Sequence, residues 1–114
     1  MIEKIIEKPW GSEELIEINE SYMFKKLLMK KGHRCSLQYH ENKKETIYVL
    51  KGQLRILCGV AQDALENKIY TAGESITISP KYIHRMEAVE DSEYLEASTP
   101  EMEDVIRLSD DYMR

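Results

Sequence analysis

Cysteine is scarce in this sequence, and its scarcity argues against a fold held together by disulfides. The chain has only two cysteines, Cys35 and Cys58, among its 114 residues. A disulfide framework or a zinc site built from cysteines would need closer spacing or more such residues. We therefore expect two buried, free thiols in a reducing compartment.

Long apolar segments are also missing. No stretch approaches the 18 consecutive apolar residues of a membrane-spanning helix. The first ten residues, MIEKIIEKPW, contain neither a long apolar core nor a small-residue cleavage site, which argues against a signal peptide. The expected location is the cytoplasm, with no membrane partner.

Basic residues are too few to form a surface that binds nucleic acid. The chain has 16 lysines and arginines against 21 aspartates and glutamates, for a net charge of -5. Nucleic-acid binding needs a basic face, so we expect no such partner. A small anionic ligand stays compatible with this charge, because a pocket can be locally positive on an acidic protein.

The length and composition fit a single globular domain over residues 1–114. Hydrophobic residues make up 42% of the chain and charged residues 32%, which is ordinary for such a domain. A chain of this size can bury a core without covalent staples. The sequence shows no internal repeat, no low-complexity segment and no linker rich in serine and glycine.

Short apolar patterns, broken often by glycine and proline, predict strands rather than helices. About ten short strands at close spacing indicate an all-β sandwich or barrel. The segment GVAQDALEN is instead a candidate loop with one helical turn. The candidate strands are Glu13–Ile18, Tyr22–Lys30, Cys35–His40, Thr46–Leu50, Leu54–Cys58, Lys68–Thr71, Ser75–Ser79, His84–Val89, Tyr94–Ser98 and Val105–Leu108.

Four polar side chains are predicted to converge on one divalent metal. Alternate residues of a strand share a face, so Gln38 and His40 point the same way. A short connection lets Glu45 approach His40, and His84 belongs to a later strand. Taken singly, each has an ordinary structural explanation, and the set is what indicates a site. Imidazole and carboxylate ligands suit zinc, iron, manganese, nickel or cobalt.

The segment GHRCSLQYHENKKETIYVLKG resembles the first motif of the cupin family. Gly32, Gln38, His40, Glu45 and Gly52 fall on the motif positions, with Gln38 in place of its first histidine. The resemblance implies a double-stranded β-helix, a jelly-roll-like barrel, in which these polar residues hold a divalent metal. Zinc is the first candidate for that metal.

A second segment, GESITISPKYIHRMEA, is similar to the second cupin motif, whose histidine would be His84. Ser79, Lys81 and Ala88 replace the usual proline, glycine and asparagine of that motif. These replacements affect the geometry of turns and leave the ligand in place.

The chain most resembles the cupin domain of mannose-6-phosphate isomerases. KPWGSEEL from Lys8 and YMFKKLLMKKGHRCSLQYH from Tyr22 carry this resemblance. It implies an isomerase or epimerase that acts on an anionic sugar, either a sugar phosphate or a nucleotide sugar. In such chemistry the metal polarises a carbonyl and a nearby base moves the proton.

Departures from that family keep two other functions open. The family typically reads H-H-H-R-A-E-H-W where this chain reads HENKKETIY, so Lys43 supplies a point charge in place of the planar fork of arginine. One alternative is a cupin module that binds a carbohydrate or metabolite without turnover. The other is an iron-dependent dioxygenase, since two histidines and a carboxylate resemble a facial triad, although Gln38 as a fourth ligand disfavours it.

Lys25 and Arg34 are the candidate catalytic residues outside the metal site. Lys25 shares a face with Leu27 and Met29, and an inward-facing lysine can bind an anion or move a proton. Alternatively, Lys25 extends to the rim or pairs with an internal carboxylate such as Glu96. Arg34, beside the first motif, is the second candidate.

We also expect a homodimer. The N-terminal segment Ile2–Ile6 is apolar enough to add a strand to the sheet edge of a partner.

Overall fold

The computed structural model describes residues 4–112 of the chain, and within them it shows eleven strands and no helix. The strands are β1 (Lys4–Lys8), β2 (Gly11–Ile18), β3 (Met23–Met29), β4 (Leu37–Tyr39), β5 (Glu45–Lys51), β6 (Gln53–Gly59), β7 (Glu66–Thr71), β8 (Ser75–Ile78), β9 (Ile83–Ala88), β10 (Ser92–Ser98) and β11 (Ile106–Ser109). The predicted all-β class is confirmed. Over the same residues, no helix has the length and apolar character needed to cross a membrane.

The strands form two antiparallel sheets. One has six strands in the order β1-β2-β3-β10-β5-β8, and the other has five in the order β11-β4-β9-β6-β7. Strands β5 and β6 belong to different sheets although only Gly52 separates them. This glycine has a φ of 92°, and a Cβ atom there would lie 2.3 Å from the carbonyl oxygen of Asp91. The passage from one sheet to the other therefore requires glycine.

Alternation of side chains along the strands builds the core. In β5, Glu45, Ile47 and Val49 are buried, while the residues between them are more exposed. Leu54 and Ile56 of β6 face them from the second sheet and are equally buried. Glu45 is polar, but it lies on the same face of β5 as Ile47 and Val49 and therefore points into the interior with them.

Most of the predicted strands are present, with differences at three places. The predicted strand Cys35–His40 is shorter in the structure and covers Leu37–Tyr39. The backbone before it makes isolated hydrogen bonds, such as Cys35 N to Met86 O, instead of a continuous ladder. The segment 60–65 is a turn without a helix. Strand β1 was not predicted; it pairs with β2 of its own chain, and the rest of Ile2–Ile6 lies outside the described residues.

Candidate metal site and cavity

Three of the four predicted metal ligands meet in the interior. His40 follows β4, Glu45 begins β5 and His84 lies in β9, so both sheets contribute. Their ligand atoms all lie within 4.8 Å of one another, and the three residues are 6%, 2% and 0% exposed. The Glu45 carboxylate lies between the imidazoles, with Oε1 3.2 Å from His84 Nε2 and Oε2 3.8 Å from His40 Nε2.

Backbone carbonyls orient both histidines. The Nδ1 atom of His40 lies 2.6 Å from the carbonyl oxygen of Asp104, and Nδ1 of His84 lies 2.9 Å from that of Tyr82. A carbonyl oxygen can only accept, so each Nδ1 carries the hydrogen and donates it. Each Nε2 therefore presents a lone pair, which is the arrangement of imidazoles that bind metals.

The atoms that face one another here have no hydrogen-bond partner among residues 4–112. They are His40 Nε2, His84 Nε2 and Glu45 Oε2, all fully buried. In the neutral ring of His84, a lone pair would face a carboxylate oxygen at 3.2 Å, which is unfavourable unless a cation lies between them. Two imidazole nitrogens and a carboxylate fit a divalent transition metal such as zinc, manganese or iron.

The protonation states of Glu45 and His40 also suit a cation. Burial favours the protonated form of Glu45, but the neighbouring His84 imidazole and the charge of Lys43 outweigh burial and lower the pKa of its carboxyl to about 2. Burial lowers the pKa of His40 despite the nearby charge of Glu45. At neutral pH Glu45 is ionised and His40 is neutral, which are the forms that bind a metal.

Gln38, the fourth predicted ligand, lies beside this cluster. Its Cα pairs with that of His84 across β4 and β9, and its side chain is half-buried. The amide oxygen accepts a hydrogen bond of 2.5 Å from Ser36 Oγ. A carbonyl oxygen has two lone pairs, so this bond leaves one for a metal. Ligation by Gln38 stays a prediction.

Lys43, which stands where the family has an arginine, is buried against the site. Its Nζ atom lies 3.2 Å from Glu45 Oε2 and 3.0 Å from Glu96 Oε2. Burial opposes its charge, but the charges of Glu96 and Glu45 raise its pKa above the usual value. Burial and the charge of Glu45 raise the pKa of Glu96. Lys43 thus bridges the candidate ligand Glu45 to a second internal carboxylate.

A cavity of about 550 Å³ opens onto the cluster. Gln38 and His40 line it, whereas Glu45 and His84 are buried beyond its lining. The charged residues that line it are Lys8, Lys25, Lys43, Arg107, Glu13, Glu96, Glu101, Glu103 and Asp104. A volume of this size is typical of small-molecule sites, and its polar wall suits a hydroxylated ligand.

Lys25 faces the cavity, as predicted, and pairs with an internal carboxylate. That carboxylate belongs to Glu13 of β2 and not to Glu96, and Lys8 also contacts it at 3.4 Å. The side chains of Lys25 and Glu13 are 15% and 10% exposed. Burial opposes ionisation of Glu13, but the charges and hydrogen bonds of Lys25 and Lys8 together outweigh burial and lower the pKa of the carboxyl.

Arg34 is not brought to the cavity. It makes two hydrogen bonds, of 2.6 and 3.0 Å, to the carboxylate of Asp111, and it lies 3.9 Å from Glu87. It is absent from the cavity lining. Its position next to the first motif does not bring it near the site, because the chain there leaves the sheet and Arg34 turns towards the C-terminal segment.

Several residues at the cavity were not among the predicted site residues. Glu13 could have been found from its alternation with Leu15 in a strand. Asp104 and Arg107 come from the C-terminal segment, where no motif marks them. Their position depends on the pairing of β11 with β4, which nothing in the local sequence reveals.

Comparison with known proteins agrees with this arrangement. The family model described as "Mannose-6-phosphate isomerase C-terminal" matches residues 2–110. The "Mannose-1-phosphate guanylyltransferase" of Salmonella montevideo is 30% identical over 112 residues, which is 94% of this chain and 23% of that protein. "Mannose-1-phosphate guanylyltransferase 2" of Escherichia coli O157:H7 is 35% identical over 71 residues, 62% of this chain and 14% of that protein. The chain thus spans less than a quarter of these curated relatives.

Solved structures confirm the predicted cupin fold, the double-stranded β-helix. An "RmlC-like cupin" from Shewanella frigidimarina NCIMB 400 superposes with a TM-score of 0.74 at 21% identity, covering 90% of this chain and 87% of that one. KdgF from Halomonas sp. gives 0.77 at 16% identity, with 89% and 91% covered. Bacillus subtilis oxalate decarboxylase, whose structure is described as having Mn(II) centres, gives 0.79 at 18% identity, with 92% and 30% covered.

Proposed function

The chain belongs to the mannose-6-phosphate isomerase C-terminal family, and on that premise we propose that it is a metal-dependent isomerase or epimerase acting on a sugar phosphate or nucleotide sugar. The observation that carries the proposal is the buried cluster of His40, Glu45 and His84 at a polar cavity. The two imidazole nitrogens that have no hydrogen-bond partner, beside an ionised carboxylate, favour a bound divalent cation.

The residues that would hold the metal are His40, Glu45 and His84, with Gln38 as a fourth ligand. A divalent metal supplies a Lewis acid that polarises a carbonyl or hydroxyl oxygen of the sugar. Zinc is our first candidate because imidazole and carboxylate are its usual ligands.

Isomerisation also requires a group that moves a proton next to the polarised carbonyl. Glu13 lines the cavity, and Lys25 and Lys8 together keep its pKa low enough for it to be ionised at neutral pH, so its carboxylate is in the form that accepts a proton. Lys25 holds this carboxylate in place and supplies a positive charge beside it. The Lys25–Glu13 pair is therefore our candidate for the acid–base chemistry, whereas Arg34 has no part in it.

The test is turnover by the chain loaded with zinc, manganese or iron in turn. Mannose 6-phosphate is the first substrate, and a nuclear magnetic resonance spectrum in D2O reports both the ketose product and deuterium at C2 of the aldose. We expect wild type to incorporate deuterium in the absence of molecular oxygen. We expect the His40→Ala/His84→Ala variant to incorporate no deuterium. Tight binding without turnover would identify a binding module instead. Turnover only in the presence of oxygen would identify a dioxygenase.

A further inference from the structure

Arg107 differs from the other arginines that the structure describes. The others are Arg34, Arg55 and Arg85, and each donates a hydrogen bond to a carboxylate or a backbone carbonyl. The side chain of Arg107 has neither a hydrogen bond nor an ion pair with any residue of 4–112. A free guanidinium is notable in a chain with 21 acidic residues against 16 basic ones.

Arg107 lines the cavity, and it lies in the same cross-strand row as a residue of the candidate metal cluster. Arg107 of β11 pairs with Gln38 of β4, and Gln38 pairs with His84 of β9. Residues directly opposite on neighbouring strands share a face, and Arg107 and Gln38 both line the cavity. With adjacent strands about 4.8 Å apart, the backbone of Arg107 lies roughly 10 Å from that of His84.

The other cations of the cavity wall already have carboxylate partners. Lys8 and Lys25 both pair with Glu13, and Lys43 pairs with two internal glutamates. Among the described residues, Arg107 is therefore the lining cation that can take an anion without giving up a partner. A guanidinium also presents a planar fork that matches the oxygens of a phosphate group.

We propose that Arg107 binds the phosphate group of a phosphorylated sugar whose other end lies at the metal cluster. This inference rests on the proposed function and adds to it a residue that selects phosphorylated sugars. The separation of roughly 10 Å along the row Arg107–Gln38–His84 leaves room for one sugar ring between the two ends. Arg107, and not Arg34, is then the arginine of the site.

Calorimetric binding to the metal-loaded chain tests this role, with mannose 6-phosphate and unphosphorylated mannose as probes. Arg107→Met should weaken binding of mannose 6-phosphate roughly 10- to 100-fold, because a charge-assisted pair of hydrogen bonds is lost. Binding of mannose should not change. The affinity of Arg107→Lys for mannose 6-phosphate should fall between those of wild type and Arg107→Met, since lysine keeps the charge and loses the planar fork. Arg55→Met, which removes an arginine outside the cavity wall, is the matched control.

Unchanged affinity of Arg107→Met for mannose 6-phosphate would overturn the inference. An equal loss of affinity for mannose 6-phosphate and mannose would also overturn it, and so would a wild type that binds both sugars equally well. Melting temperature and metal content show whether the variant is folded and loaded. GDP-mannose as a third probe distinguishes a sugar monophosphate from a nucleotide sugar. Turnover is measured separately, so binding that depends on Arg107 without isomerisation would refute the proposed function and keep the inference.

Discussion

Asp104 holds the candidate metal ligand His40 in place through two different groups. Its backbone carbonyl accepts the hydrogen of His40 Nδ1 at 2.6 Å. Its carboxylate accepts three backbone N–H hydrogen bonds, from residues 41, 42 and 43, at 3.1, 2.8 and 2.9 Å. These bonds depress the pKa of Asp104, and the one from Asn42 contributes most. The C-terminal segment is thereby tied to the loop that joins His40 to Glu45.

This tie predicts that Asp104 tunes metal affinity without being a ligand. Asp104→Ala removes the acceptor of three backbone N–H groups and loosens the loop between two ligands. We expect metal affinity to fall roughly 10- to 100-fold, as is typical when a group that orients a ligand is lost. Competition with a chelator measures the change. Asp63→Ala, in the turn after β6, is the control and should leave affinity unchanged; a similar loss there would contradict the assignment.

Removal of the ligands themselves should abolish metal binding. His40→Ala and His84→Ala should each lose most of the metal, because each removes a strong donor from a buried site. Gln38→Ala should lose less, since a neutral amide oxygen is a weaker ligand. Elemental analysis of purified protein measures the content. His33→Ala is the matched control, because His33 bonds to Tyr112 instead. Equal metal content in wild type and the double variant of His40 and His84 would refute the site.

The pair of Lys25 and Glu13 should stabilise the fold above pH 4.5. Lys25→Met leaves the Glu13 carboxylate without its main partner, and we expect unfolding to become easier by about 1–3 kcal/mol at pH 7. Lys26→Met removes only a pair with Glu93 that lies closer to the surface, and it should cost less than Lys25→Met. Chemical denaturation measures both.

The pH dependence of this loss has a definite sign. The pKa of Glu13 lies below its usual value of 4.5 in the folded protein. The pair therefore contributes its full stability above pH 4.5 and loses it as the pH falls through the lowered pKa. The difference between wild type and Lys25→Met should shrink over that range. A difference that is constant from pH 7 to pH 3 would contradict the pairing.

The two thiols should be unreactive in the folded protein. Burial raises the pKa of Cys35 to about 11, and it also raises that of the half-buried Cys58. Thiolate is the reactive form, so alkylation by iodoacetamide at pH 8 should be slow for both and fast after denaturation. Mass spectrometry counts the modified thiols. Rapid alkylation of Cys35 in the native protein would show that this part of the core opens readily.

Assembly as a homodimer stays a prediction. Strand β1 is the outermost strand of the six-stranded sheet and carries Ile5, which is 57% exposed. An exposed apolar edge of this kind favours pairing with a second copy. Light scattering should give twice the chain mass of 13.4 kDa, and Ile5→Lys should shift it towards the monomer. A monomer mass at all concentrations would rule the dimer out.

The sequence by itself determined most of the strands and the inward face of the candidate metal ligands. Alternation along β5 places Glu45 with Ile47 and Val49, and the spacing within CSLQYH places Gln38 and His40 together. These are local properties, because the pleat of a strand sends every second residue to the same face. Lys25 was assigned to the interior for the same reason.

Only the tertiary structure decided which charges meet. Lys25 pairs with Glu13 because β2 lies beside β3, and His40 is held by a residue 64 positions away in sequence. Arg34 faces Asp111, whereas Arg107 reaches the cavity through its register with Gln38. Alternation predicts the face of a residue but not its neighbours on the next strand. Those neighbours depend on strand order and register, which arise from packing across the whole barrel.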